Sequence, residues 1–110
     1  MSSVVTVAER KSRETARRRA AADLVVSEMR AFGAKRGGRF LIFGSVAEDR
    51  MKFDSDLDVV VDFPADREAE ALEFVEDICR KHGLPSDVHL KSEASGRFLD
   101  RIRGHMVQIP

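Results

Sequence analysis

The sequence predicts a small α/β (α+β) domain, on three observations. Apolar runs rich in aromatic and β-branched residues, at 40–43, 57–63 and 88–90, alternate with stretches of helical composition. The chain has 110 residues, which suits one domain of ordinary size. Hydrophobic residues make up 43% and charged ones 35%, enough for a core beneath an ionic surface and unlike the balance of disordered chains.

Residues 1–6 read as a frayed terminus. Residues 7–32 hold no Gly or Pro and are dominated by Ala, Arg and Glu, which predicts one long helix. Its first half, with Arg10, Lys11, Arg13, Arg17, Arg18 and Arg19, is nearly all polar. The second half carries an apolar stripe through Ala21, Leu24, Val25, Met29 and Phe32, so only that half is expected to pack on a core. Gly33, Gly37 and Gly38 end the helix and make a loop. Residues 40–43 form a buried strand that Gly44-Ser45 breaks, and 46–53 are a short helical or looped connection. Residues 57–63 are a second strand, closed by Pro64. Residues 65–82 read as an amphipathic helix with Ala69, Leu72, Val75, Ile78 and Cys79 on one side and Gly83-Leu84-Pro85 as its stop. A third strand follows at 88–90. Ser95 caps a last helix over 96–103, and 106–109 form an extended tail.

The formal charge is zero, from 19 Lys+Arg and 19 Asp+Glu, but the halves differ. Residues 1–40 hold ten basic and four acidic residues; residues 41–110 hold nine and fifteen. The basic helix is read as solvated surface, as a contact for a protein partner or second subunit, or as a binder of nucleic-acid phosphates. The lack of an aromatic before Phe32 and of a helix-turn-helix pattern argues against the last. No apolar run suits a membrane span and no signal-peptide core opens the chain, so a cytoplasmic protein is expected. A single cysteine, Cys79, makes no internal disulfide, fits a reducing compartment and belongs to the core side of its helix.

The chemistry concentrates between residues 40 and 61. Strand alternation puts Asp56 and Asp58 on one face with Val60, and Leu57, Val59 and Val61 on the other. Two carboxylates roughly 7 Å apart along a strand repel, and one is partly protonated unless a cation sits between them. Mg²⁺, which takes one or two carboxylates plus substrate phosphates, resolves that conflict. Taken alone, the same pattern is a strand end with acids in water. Gly44-Ser45 after a buried strand allows close backbone approach, free N–H groups and a hydroxyl for a phosphate; taken alone it is a turn. Asp87 shares a face with His89, and joins Asp56 and Asp58 if its strand pairs beside residues 57–63. Three carboxylates then hold two metals for in-line phosphoryl or nucleotidyl transfer. His82 suits a helix C-terminus, His105 reads as surface, and the histidines lack zinc-ligand spacing. Asp62 is read as a solvated acid at the sheet rim.

Gly44-Ser45, ten residues, then Asp56-Leu57-Asp58 resembles the Gly-Ser…Asp-x-Asp signature of the DNA polymerase β-like nucleotidyltransferase superfamily. Asp54-Ser55, the flanking apolar runs, the Asp87 strand and the closing helix and strand are similar to its minimal nucleotidyltransferase (MNT) branch, over roughly residues 39–109. The resemblance implies a small mixed sheet with flanking helices and an extra N-terminal basic helix. Residues 1–38 are then basic helix and loop and 39–110 the nucleotidyltransferase domain, in one compact body. It further implies Mg²⁺-dependent transfer of a nucleoside monophosphate, AMP from ATP, to a hydroxyl. Asp56, Asp58 and Asp87 would hold metal, Gly44 and Ser45 the β,γ-phosphates, and Asp87 would help deprotonate the acceptor. Many such proteins are antitoxins of a HEPN-domain partner, masking it or adenylylating a tyrosine on it. This chain has no tyrosine, so such an acceptor belongs to another chain. Where the family commonly has Arg and Gly, this sequence has Glu48 and Asp49, which oppose a triphosphate unless they point away; Arg50 and Lys52 come next. The expectation is an enzyme, with a masking antitoxin lacking catalysis as the alternative and a nucleic-acid-associated protein as the third.

Overall fold

A computed structural model describes residues 6–109, so the reading of residues 1–5 lies outside the described part. Helix α1 spans Val7–Ala34, started by Thr6, whose hydroxyl accepts the Glu9 N–H at 3.0 Å. Strand β1 (Arg39–Phe43) runs straight into the four-residue helix α2 (Gly44–Ala47). Strand β2 (Leu57–Asp62), helix α3 (Glu68–Lys81) and strand β3 (Ser86–Leu90) make a parallel crossover unit. Helix α4 (Gly96–Ile102), a 3₁₀ turn (Arg103–His105) and strand β4 (Val107–Ile109) complete the chain. The sheet order is β3-β2-β1-β4, with β1 antiparallel to both β2 and β4. This is the small mixed sheet with flanking helices that was expected.

The two sheet faces bury different sets. Phe40, Ile42, Leu57, Val59, Val61 and Ile109 pack against α1 and α3. Leu41 and Val60 face the other way, under Ile102 of α4, with Phe43, Phe98, Leu99 and Met106 around them. Leu57 and Val59 thus sit in the main core, while Val60, and by strand alternation Asp56 and Asp58, point to the α4 side.

Several expectations need correction. Leu24 is 54% exposed: the packed stripe runs through Ala21, Ala22, Val25 and Met29, and Leu24 falls about a hundred degrees of helix rotation from Val25. Helix α3 starts three residues late, because residues 64–67 form a turn closed by the Arg67 N–H on the Pro64 carbonyl at 2.8 Å. Its buried residues are Ala71, Val75, Ile78 and Cys79, and Ala69 faces solvent. Strand β3 begins at Ser86 rather than 88, since pairing with Leu57 extends it. Asp62 is no solvated rim acid: Arg39 of β1 reaches it at 2.7 Å and Lys91, just past β3, at 3.4 Å.

Met29 is wholly buried, so Met29→Ala is expected to cost about 2–5 kcal/mol. Leu24→Gln should stay within about 0.5 kcal/mol. Thermal unfolding of the two variants checks the corrected helix phase.

Candidate active site

Asp58 stands in register with Asp87 across the parallel β2–β3 pair and with Phe43 across β1–β2. Asp56 lies just before β2. Asp56 and Asp58 therefore lie where β1 gives way to α2, with Asp87 beside Asp58 on the neighbouring strand. Burial, and after it the charges of Asp56 and Asp87, push the Asp58 carboxyl from its ordinary range up to about 6. The repulsion expected from the residue pattern is thus present in the folded chain.

Gly44 meets this cluster directly. Its φ is +74°, and a Cβ built there would collide with Asp58 Oδ2, so two independent constraints require glycine. Ser45 follows in α2. Asp87 itself is turned towards His89, whose Nε2 lies 3.3 Å from Asp87 Oδ2. The His89 ring rests between Phe98 and Phe43, with centroids 4.9 and 5.8 Å away.

A cavity of about 300 Å³ opens beside Gly44, lined by Phe43, Glu48, Phe98, Arg101 and His105. Glu48 lines this cavity together with the cation Arg101, and the cavity meets the acid cluster through Gly44. Arg50 holds its carboxylate at 2.7 Å, drawing its pKa below the usual range, and His105 Nδ1 is 3.7 Å away. Asp49 adopts φ +53°, a left-handed turn that Asp tolerates better than most residues. A larger cleft of about 580 Å³ lies at the far end of the sheet, around Gly38, Arg39, Asp62 and Gln108. There Asp62 is already neutralised by two cations, so the acids on Gly44 are the better site.

A family model described as a nucleotidyltransferase domain matches residues 23–108. The chain belongs to the nucleotidyltransferase domain family. No curated protein and no solved structure matches it. The family match takes in the second half of α1 as well as the sheet, and it places the chain in the transferase class.

Among the described residues, no three His, Cys, Asp or Glu are gathered in a geometry that would hold a metal ion. The donor set still fits a hard divalent cation of the magnesium kind. Asp56 and Asp58 already repel each other, and such a cation needs only one or two carboxylates beside phosphate oxygens and water. Asp87, expected as a third ligand, would have to turn away from His89 to join them.

The remaining candidates are structural. His82 caps α3 and lies 3.4 Å from Glu28 Oε2. Cys79 is buried, and burial raises its thiol above the ordinary range. No helix among the described residues is long and apolar enough to cross a membrane.

The sequence reading missed what the first half of α1 does. Lys11 lies over the Phe53 ring at 4.7 Å, Arg18 donates to the Ser55 carbonyl at 2.7 Å, and Arg17 reaches the His82 and Gly83 carbonyls. Only the second half packs on the core, as expected, but the first half is no free solvated surface, since it holds loop carbonyls through its cations. The Arg17-Arg18-Arg19 run was visible, but its partners lie 37 to 66 residues away, and no local pattern names them.

Proposed function

We propose that this nucleotidyltransferase moves AMP from ATP to a hydroxyl on a partner protein, as the antitoxin of a HEPN-domain toxin. The observation that carries the transfer is the pairing of Asp56 and Asp58 at the Gly44 turn, with Asp87 in register beside Asp58 on the neighbouring strand. The protein partner rests on the resemblance of residues 39–109 to minimal nucleotidyltransferases and on the absence of tyrosine.

In this reading the glycine leaves backbone and carboxylate in contact, so a phosphate chain on Gly44 and Ser45 lies against Asp58. The Ser45 hydroxyl donates to a phosphate oxygen. Asp56 and Asp58 would hold Mg²⁺, with Asp87 joining them. The bound ion supplies Lewis-acid charge to the phosphates and acidifies the attacking hydroxyl. Asp87 accepts the hydroxyl proton as the oxygen bonds to the α-phosphorus and pyrophosphate departs. With its pKa at about 6, the Asp58 carboxylate is mostly ionised at neutral pH and would be available to such a cation.

Calorimetry with Mg²⁺-ATP tests the reading. Heat of binding is expected for the parent chain and none for Asp56→Asn/Asp58→Asn. A parent chain that binds no Mg²⁺-ATP rules the enzyme out. Transfer is then read as an added AMP mass on the HEPN partner.

Glu48 favours a second reading, in which the same fold masks its partner without chemistry. It lines the cavity where a triphosphate tail would lie. Masking would survive the aspartate substitutions, and co-purification of the partner with the double variant distinguishes the two. Two of the arginines counted toward nucleic acid, Arg17 and Arg18, are engaged within the chain, which lowers that third reading.

A further inference from the structure

We infer that Glu14, Arg17 and Arg18 form a clamp through which α1 positions the loops that deliver Asp56 and Asp87. The role of those acids rests on the proposed nucleotidyltransferase reading; the clamp itself rests on geometry.

Glu14 is the hub. It accepts from Arg17 Nε at 2.7 Å, from Arg17 Nη2 at 3.0 Å and from Arg18 Nε at 2.8 Å. The two guanidiniums hold its carboxyl down at about 2, so the hub stays charged at any ordinary pH. Each guanidinium then spends its remaining donors on a different loop, which its rigid fork of five N–H groups permits. Arg18 Nη1 donates to the Ser55 carbonyl at 2.7 Å, in the peptide that joins Ser55 to Asp56. Arg17 donates through Nη2 to the Gly83 carbonyl at 2.9 Å and through Nη1 to the His82 carbonyl at 3.3 Å. Gly83 sits at φ +60° with its Cα face against Arg17, where a Cβ would come within 3.2 Å of Nη1.

The gripped loops are also tied to each other, by the Leu57 N–H on the Pro85 carbonyl at 2.8 Å. The Ser55 hydroxyl closes its own turn by accepting the Lys52 N–H at 2.8 Å. These bonds matter because the segment before Asp56 has no strand ladder to hold it, and its carboxylate is repelled by Asp58. An unrestrained loop would swing the acid outward. The base of the clamp is rigid, since Ala21, Ala22, Val25 and Met29 anchor the next turns of α1 in the core. Arg18 keeps only 17% of its side chain exposed, unlike an ordinary surface ion pair.

The test uses the whole chain and Mn²⁺ as the probe, read by electron paramagnetic resonance below every variant's unfolding midpoint. Arg18→Ala is expected to weaken Mn²⁺ binding by about 10-fold or more, the range found for groups that orient metal ligands. Arg18→Lys, which reaches Ser55 but cannot also grip Glu14, should recover part of the loss. Arg19→Ala makes the same charge change on the exposed side and should bind like the parent. Ala71→Gly loosens α3 at a buried position near its start, at the opposite end from Gly83, and should leave Mn²⁺ affinity unchanged. Parent-like affinity in Arg18→Ala, or an equal loss in Ala71→Gly, overturns the inference.

Amide exchange separates this result from the function proposed above. A parent chain that binds no Mn²⁺ defeats that function. The clamp then stands if Arg18→Ala speeds exchange at Ser55 and Leu57, whose N–H groups are bonded in the loop, by about 10-fold while Arg19→Ala does not, and falls otherwise.

Discussion

Replacing Gly44 by alanine is expected to cost at least about 1–2 kcal/mol and to abolish Mg²⁺-ATP binding. Part of the cost is backbone: a non-glycine residue at φ +74° carries roughly 1–2 kcal/mol of strain. The rest is the collision of the new Cβ with Asp58 Oδ2, which must drive the carboxylate out of the cluster. The two parts separate in a double-mutant cycle. In an Asp58→Ala background the collision vanishes, so Gly44→Ala should cost only the backbone part, about 1–2 kcal/mol. Additive unfolding free energies would mean that Gly44 and Asp58 are not in contact, and the site would have to be rebuilt.

Asp58→Asn should act in opposite directions on activity and stability. Losing the central carboxylate is expected to reduce transfer by at least about 100-fold, as does removing one preorganised charge-stabilising group elsewhere. Stability should rise near neutral pH. The folded-state pKa of Asp58, about 6, lies above its ordinary 3.8, so from about pH 4 to 6 the folded chain binds more protons than the unfolded one. The parent therefore loses stability as pH rises through that window, and the loss persists above it. A fully dry carboxyl with that displacement would lose about 3 kcal/mol. Solvent contact at Asp58 screens this to about 1 kcal/mol, worth roughly 5 °C in Tm. Without metal, Asp58→Asn should melt higher than the parent at pH 7.5 and the gap should close towards pH 4. An equal gap at both pH values would remove the repelling cluster as its cause. The same carboxylate would then weaken the bare fold and be needed by the loaded one, a common arrangement at sites that bind cations.

Much of this was legible before any coordinates. The alternation in Leu57-Asp58-Val59-Val60-Val61 assigned Leu57, Val59, Val60 and Val61 to the correct sheet faces, because strand geometry has a period of two. Gly44-Ser45 after an apolar strand marked the turn that meets Asp58. Helix phase was harder. Leu24 and Ala69 are apolar and near the buried stripes, and spacing alone could not tell which neighbour turns inward. The late start of α3 depended on a turn bond at Pro64, and the partners of Asp62 on segments far apart in sequence.

By itself, then, the sequence determined the order of elements, the faces of the apolar β2 residues and the glycine beside the acids. These follow from local periodicity and backbone chemistry, which act between near neighbours. Only the tertiary structure decided that Glu48 lines the cavity and that Asp87 pairs with His89. It alone decided that Arg17 and Arg18, set apart by charge as an unassigned surface, grip the loops bearing the acids. A guanidinium's partners are set by which carbonyls the packed helix brings within 3 Å of it, and packing joins residues that no local pattern connects.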